Sequence, residues 1–145
     1  QDMPDYIFLL SIEGIGSNTA IELLSEVGPF TNFRSPRQII KLAGLTLREN
    51  SSGEQKGQKK ISKRGRKRLR AALFRAILPM IRYNPAFKAL YHYYIERPVN
   101  PLRKKEAMVV LCGKLLKIAH GLCTKKQMFQ SERMIQDLTV LQTAA

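Results

Sequence analysis

Two adjacent serines followed by a glycine are the first candidates for chemistry in this chain. Ser51 and Ser52 precede Gly53 in a stretch rich in Asn, Ser, Gly and Gln, which predicts a long loop over about 45–62. From Glu54 to Arg70 there are nine basic residues against one acid. Concentrated positive charge could stabilise a phosphate under attack by a hydroxyl. The alternative interpretation is a solvated basic loop without a reaction.

Cations flank the serines on both sides. The predicted phosphate contacts in and beside the loop are Arg48, Lys56, Lys59, Lys60, Lys63 and Arg64. A serine nucleophile must also lose its proton, and no histidine lies nearby in the sequence. Hydroxide, an arginine or a residue from another domain would have to act as the base. The residue types alone leave Ser51, Ser52 and the tyrosines open as nucleophiles.

A second candidate phosphate site lies at the turn Gly14-Ile15-Gly16, between two short apolar segments. This is the helix-hairpin-helix pattern, over about 7–28, with Ser17 as the predicted cap of the second helix. Glycines allow the backbone to approach a phosphate, and the N–H groups at a helix start bind it. We expect both glycines to need glycine conformations. The predicted contacts are Gly14, Ile15, Gly16, Ser17, Asn18 and Thr19. The alternative is an ordinary helical turn.

The overall charge indicates a polyanionic partner. The chain has 145 residues, a net charge of +14 and a pI of about 10.2, which favours nucleic acid. A membrane surface is the second candidate, but we identify no apolar run of spanning length. No signal peptide is visible and the two cysteines form no CxxC motif, so a reduced cytoplasmic protein is expected. Because the chain starts with Gln, we expect it to be part of a longer protein.

Helical periodicity accounts for most of the sequence, so the predicted fold class is all-α, with five to seven helices and no strand. Ser35-Pro36 and Asn84-Pro85 each predict a cap followed by proline at the first helical position. One long helix is predicted to open at Ser62 or Gly65, and Pro79 should kink or end it. Another runs from Lys104, and Gly121 should cap or weaken its end. A helical domain over 1–130 and a tail over 131–145, with a short helix at most, are predicted.

The start of the first long helix carries further predicted contacts with nucleic acid. These are Arg66, Lys67, Arg68 and Arg70. Arg68, Arg75 and Arg82 recur every seven residues and so share one helix face. That face is either solvated or in contact with a nucleic-acid backbone, and the sequence does not decide between the two.

The acidic residues argue against metal-dependent catalysis by this chain alone. Aspartates occur only at Asp2, Asp5 and Asp137, and the glutamates are scattered singly, so no carboxylate cluster for two magnesium ions is predicted. No metal ligand is assigned. His92 is expected to be a partly exposed helical residue, and His120 to be structural.

The order of these motifs resembles a known family. The segments are FLLSIEGIGSNTAIELLSEVG, FRSPRQIIKLAGLTLRENSSG, KKISKRGRKRLRAALFRA, NP, YHYYIE and KKEAMVVLCGKLLKIAHGL. Together they look like the C-terminal transposase domain of the insertion-sequence one-ten family, which includes the pilin-gene invertases. The resemblance covers about Tyr6 to Phe129. Glu13 departs from it, because proline is usual there, and so does Arg66, where Asn or Asp is common. A carboxylate at Glu13 should slightly weaken phosphate binding.

The resemblance implies a DNA recombinase that cleaves and rejoins DNA. Family members carry an N-terminal RuvC-like domain with acidic metal ligands, and a serine before a glycine in this domain is the proposed nucleophile. That serine corresponds to Ser52, with Ser51 as the alternative. Magnesium is expected only with the N-terminal domain, an oligomer is expected for the full-length protein, and some members use a guide RNA. The rival hypotheses are a non-catalytic helix-hairpin-helix module and a basic structural RNA-binding protein.

Overall fold

The structure is a computed structural model that describes residues 4–45, 47–49, 59–61 and 66–134. Within those ranges the chain forms α1 (Pro4–Leu10), α2 (Ser17–Val27), a 3-10 turn (Phe30–Asn32), α3 (Pro36–Leu42), β1 (Leu47–Glu49), β2 (Lys59–Ile61), α4 (Lys67–Tyr83), α5 (Pro85–Glu96) and α6 (Lys104–Lys125). The all-α prediction is confirmed. The exception is one antiparallel pair of three-residue strands, which the sequence analysis did not predict.

The core is built around α6. This helix contacts α1, α3, α4, α5 and the 3-10 turn, and it buries Leu111, Cys112 and Leu115 completely. By length and composition alone, its 22 residues could cross a membrane, with a mean hydropathy of 1.5 over the most apolar window. The prediction that no apolar run reaches spanning length was therefore wrong. Half of that window is buried inside the domain, as expected of a core helix.

α4 begins later than predicted, and of the two outcomes predicted for Pro79, a kink or an end, the helix does not end there. It begins at Lys67, after Arg66 in an extended conformation, and it continues past Pro79 to Tyr83. A proline inside a helix removes one hydrogen bond and costs about 3 kcal/mol. Ile77 and Met80 on either side of Pro79 are fully buried, and burying such side chains contributes roughly 1.5–3 kcal/mol each. Core packing therefore offsets the local cost and keeps the helix intact.

Two caps confirm the sequence analysis. The Ser35 hydroxyl accepts a hydrogen bond from the Arg37 N–H at 3.2 Å, at the start of α3. The Asn84 carboxamide is fully buried, and its oxygen accepts from the N–H groups of Ala86 and Phe87. Its Nδ2 group donates to the Glu13 carbonyl at 2.8 Å. Asn84 thus ties the start of α5 to the turn between α1 and α2.

The end of α6 also lies further along than predicted. Gly121 is inside the helix, which continues to Lys125 and is capped by Lys126 in a left-handed conformation. Cys123 is buried and Leu122 packs against the core, so tertiary contacts outweigh the cost of about 1 kcal/mol for a helical glycine. Beyond the helix, the Phe129 N–H donates to the Ser11 hydroxyl at 2.9 Å. The chain is helical again over 131–134.

Both cysteines are buried free thiols. Burial raises the pKa of Cys112 to about 12 from its usual 9.0. Burial also raises the pKa of Cys123 to about 12, helped by the negative charge of Asp5 and a hydrogen bond to it.

We therefore expect neither thiol to react in the native protein. The thiolate is the reactive form, and these raised pKa values leave only about one thiol in ten thousand ionised near pH 8. A disulfide reagent should label both cysteines only after unfolding in guanidinium. Rapid stoichiometric labelling of the native chain would contradict the burial of these two thiols.

Candidate nucleic-acid interface

The turn between α1 and α2 uses its two glycines differently. Gly14 has a φ of +98°, and a Cβ atom there would lie 3.0 Å from Met80 Cγ and 3.1 Å from Met80 Cα. Gly16 has a φ of −91° and open space around its Cβ position. The prediction that both need glycine conformations is therefore right for Gly14 and wrong for Gly16. An extended backbone precedes α2 there, and any residue adopts that conformation.

Gly16, not Ser17, is the N-cap of α2. Ser17 is the first helical residue, and no side chain caps this end, so the predicted role of Ser17 as cap is wrong. The first internal hydrogen bond of α2 runs from the Ala20 N–H to the Gly16 carbonyl at 3.0 Å. The N–H groups of Ser17, Asn18 and Thr19 have no acceptor among the residues that the structure describes. Such groups are ready donors for an anion.

Ile15 is a core residue. Its side chain is buried and its N–H donates to the Ile12 carbonyl at 3.0 Å. This predicted DNA contact therefore shapes the turn, while the three residues at the start of α2 present the donors.

Glu13, at the position where the family usually has proline, has two structural partners. Its carboxylate accepts a hydrogen bond from the Ser131 hydroxyl at 2.7 Å, and its carbonyl accepts from the Asn84 carboxamide. The carboxylate therefore helps to hold the segment after α6 against the hairpin. A proline at this position would leave the buried Ser131 without that partner.

α2 and α4 pack side by side in opposite directions. Gly14, in the turn before α2, lies against Met80 near the end of α4. Glu22 pairs with Arg75, and near the end of α2 the Glu26 carbonyl accepts from Arg66 at the start of α4. The uncapped start of α2 therefore lies beside the C-terminal half of α4.

The exposed face of α4 carries what we call the arginine stripe, formed by Arg68, Arg75 and Arg82. All three are exposed, and a seven-residue spacing places them about 10 Å apart, over about 21 Å in total. Because the helices are antiparallel, Arg82 is at the end near Gly14. The DNA contacts predicted from the sequence ended at Arg70. The recurrence of arginine every seven residues is the sequence signal that adds Arg75 and Arg82.

Two of the predicted contacts hold the fold together. The Arg66 guanidinium donates to the Glu26 carbonyl in the last turn of α2, and the Arg70 guanidinium donates to the Ala43 carbonyl after α3 at 3.0 Å. Cations at these helix ends donate hydrogen bonds to unpaired carbonyls and interact favourably with the negative end of the helix dipole. A guanidinium has five N–H donors, so these bonds leave donors available for a phosphate. Lys67 is exposed beside them.

Two short strands lie on either side of the segment that contains the two serines in the sequence. Leu47 pairs with Ile61, Arg48 with Lys60 and Glu49 with Lys59, so residues 50–58 join the two strands at one end. Three predicted cations thus belong to the strands, where the prediction had placed only a loop. Three-residue strands that share a single apolar pair are too short to show the alternation of apolar and polar residues that predicts a strand. Ser51, Ser52, Lys56, Lys63 and Arg64 lie outside the described residues.

The histidines have the roles expected of them. The His92 ring is partly exposed and lies 3.3 Å from the Glu96 carboxylate. His120 is buried, and its Nε2 atom is 2.8 Å from the Phe33 carbonyl oxygen. Within the described part of the chain, no three His, Cys, Asp or Glu side chains come close enough to hold a metal ion.

The two glycines of the turn provide a paired prediction. Gly14→Ala should lower the free energy of unfolding by about 2 kcal/mol or more, because it combines a positive φ with a contact to the Met80 backbone. Gly16→Ala should lower it by less than about 1 kcal/mol, because glycine is the better N-cap but a Cβ atom there meets no other group. Urea denaturation of both variants measures the difference. Equal destabilisation would contradict the geometry of this turn.

The comparison with known proteins places this arrangement in one family. A profile of the Transposase IS116/IS110/IS902 family matches residues 7–92. Over 123 residues, 83% of this chain, the sequence is 30% identical to the pilin gene-inverting protein of Moraxella bovis and to the transposase for insertion sequence element IS1111A of Coxiella burnetii. It is 36% identical over 74 residues, 51% of this chain, to a probable family 20 transposase of Pseudomonas aeruginosa, of which the match covers 22%.

The family match covers more than half of the chain, so this chain belongs to the IS116/IS110/IS902 family of insertion-sequence transposases. It spans about a third of the length of the relatives that it matches, 37% of the Moraxella protein and 33% of the Coxiella protein.

Proposed function

We propose that this chain is the DNA-binding, serine-bearing C-terminal domain of an insertion-sequence transposase, working with an acidic N-terminal domain of the same polypeptide in the cytoplasm. The DNA-binding part of this proposal rests on the packing of α2 against α4. The uncapped start of α2 lies beside the C-terminal half of α4, and the three arginines of the stripe are exposed. Both features recognise phosphates, and neither depends on the identity of the bases.

The length of this surface suits a duplex. The arginine stripe extends about 21 Å, which corresponds to about six base pairs at 3.4 Å per pair. One phosphate would accept hydrogen bonds from the N–H groups of Ser17, Asn18 and Thr19. The three arginines would contact phosphates further along. Such contacts fix the position of the protein on DNA, and a guide RNA or another domain could then select the sequence.

The chemical step assigned to the serine follows from its hydroxyl group. The Ser52 Oγ atom attacks a backbone phosphorus, an O–P bond forms, and one P–O bond to deoxyribose breaks. The hydroxyl proton goes to a base and the leaving deoxyribose oxygen takes up a proton. The cations of the loop and strands stabilise the charge on the phosphate. Ser51 is the alternative nucleophile.

We assign the magnesium ligands to the N-terminal domain that the family resemblance implies. Among the described residues, no three His, Cys, Asp or Glu side chains lie close enough together to hold the ion. We therefore expect the isolated chain to bind DNA without cleaving or joining it. Incubation of the purified chain with supercoiled and nicked DNA, with and without magnesium, tests this. Magnesium-stimulated cleavage would contradict the assignment of the metal ligands to another domain.

The DNA-binding proposal is tested by salt dependence. Each phosphate contact should contribute about −0.9 to the slope of log affinity against log salt concentration on duplex DNA. A slope near zero would contradict a phosphate-binding surface. Gly16→Val should weaken binding severalfold while leaving the melting temperature nearly unchanged, because a side chain there stands between the N–H groups and a phosphate. RNA of the same length at matched salt separates this proposal from a structural RNA-binding role.

A further inference from the structure

A second surface, separate from the one assigned to DNA, lies between α3 and α6. We call it the α3–α6 groove. It has a volume of about 610 Å³ and is lined by residues of α3, α5 and α6 and by Leu45, with no residue of α2 or α4. Its floor is apolar and is formed mainly by Ile40, Leu45, Val109 and Val110. Gly113 opens the α6 wall, because it presents no side chain there.

Cations line both rims of this groove. Arg37 and Lys41 project from one face of α3 at a spacing of four residues, and Lys114 and Lys117 from α6 at a spacing of three. None of the four pairs with a carboxylate among the residues that the structure describes. Among the described residues, no acidic side chain lines the groove. The result is an apolar floor with positive charge on both sides.

We propose that the α3–α6 groove binds an acidic amphipathic helix from another part of the full-length transposase polypeptide. An apolar seam on that helix would cover the floor, and carboxylates on both flanks would meet the two cationic rims. The α6 residues of the groove run from Val109 to Lys117, about 12 Å of helix. That length accommodates about two turns of an occupying helix.

Other occupants fit this groove less well. A single nucleic-acid strand places its charges along one edge and stacks its bases on aromatic rings. Of the lining residues that the structure describes, only Tyr94 is aromatic, and the Arg97 guanidinium lies over its ring at 5.6 Å. A second copy of this chain carries a charge of +14 and would be repelled. The match of 123 residues covers only 37% and 33% of two relatives, so family polypeptides have further segments that could supply a helix.

The chemistry of the groove can be tested on the chain itself with a model peptide. The probe is a helical peptide of Ala, Leu and Glu with leucines at i, i+3, i+4 and i+7 and glutamates on both flanks. It should bind at least about tenfold more tightly than a scrambled peptide of the same composition, and it should shift the methyl NMR signals of Ile40, Val109 and Val110. Equal binding of the two peptides, or shifts confined to other residues, would overturn the proposal.

A charge-reversal pair separates the groove from the general basicity of the chain. Lys114→Glu with Lys117→Glu should weaken peptide binding by about tenfold. The matched control is Lys104→Glu with Lys105→Glu, which changes the charge equally at the exposed start of α6 and should leave binding within about twofold. Equal losses in the two variants would show that only net charge matters and would overturn the proposal.

The source of the helix is tested in the full-length protein. A photo-crosslinking amino acid at Val110 should link to an acidic helical segment outside these residues in the same polypeptide, and the same group at exposed Thr124 should not. Links from Val110 to nucleic acid, to the corresponding domain of a second copy, or to nothing would each overturn the proposal. The affinity for duplex DNA, measured on the same samples, tests the proposed DNA-binding surface of α2 and α4 independently of the groove.

Discussion

Replacing Ser52 by alanine in the full-length protein should abolish strand exchange. The hydroxyl is the proposed nucleophile, so its removal abolishes the covalent route. Losing a single donor that only stabilises the transition state has a smaller effect, typically about a hundredfold to a thousandfold in rate. DNA affinity should stay within about twofold, because one neutral hydroxyl adds little to a binding energy dominated by charge. A recombination assay on donor and target DNA, combined with a binding assay, measures both quantities.

Ser51→Ala is the matched control for this prediction. It removes the same hydroxyl from the preceding residue, and we expect it to be milder. If Ser51→Ala abolishes exchange and Ser52→Ala does not, the nucleophile is Ser51. Full exchange activity in both variants would end the serine proposal and leave a DNA-binding module without a nucleophile.

Removing the arginine stripe should have the second large effect. The triple variant Arg68→Gln, Arg75→Gln and Arg82→Gln should reduce the salt slope by about 2.7, if each arginine contacts one phosphate. At about 0.1 M salt the same relation gives a loss of duplex affinity on the order of a few hundredfold. The folded state should lose less than about 1 kcal/mol, because these side chains are exposed and the Arg75–Glu22 ion pair lies at the surface.

Three lysines of α6 provide the control for that variant. Lys104→Gln, Lys105→Gln and Lys125→Gln remove the same net charge from exposed positions outside the α2 and α4 surface. We expect a loss of affinity below about tenfold. If both triple variants lose affinity equally, binding follows the overall charge of the chain and the proposed surface has no special role.

Local signals in the sequence predicted much of the fold. Ser35 and Asn84 cap helices where their side chains and the following prolines indicate. The apolar face of α4 is buried as its periodicity predicts. These features depend on residues within a few positions of one another, so the sequence contains the information directly.

The errors arose where distant contacts decide the structure. Pro79 does not end α4 and Gly121 does not cap α6, because their neighbours are buried against elements far away in the chain. Arg66 and Arg70 bind carbonyls at the ends of α2 and α3, which no local pattern reveals. Gly16 adopts an ordinary extended conformation because the positive φ of the turn falls on Gly14. Sequence spacing located the candidate surface, but tertiary packing determined which of its residues present donors.

Backbone amide NMR during titration with a short duplex tests the central claim most directly. We expect the amide signals of Ser17, Asn18 and Thr19 to shift together with the side-chain signals of Arg75 and Arg82. The Ile15 amide, which is hydrogen-bonded to the Ile12 carbonyl, should shift less. At saturating DNA, unchanged signals at the start of α2 would contradict the claim that the α2 and α4 surface binds DNA.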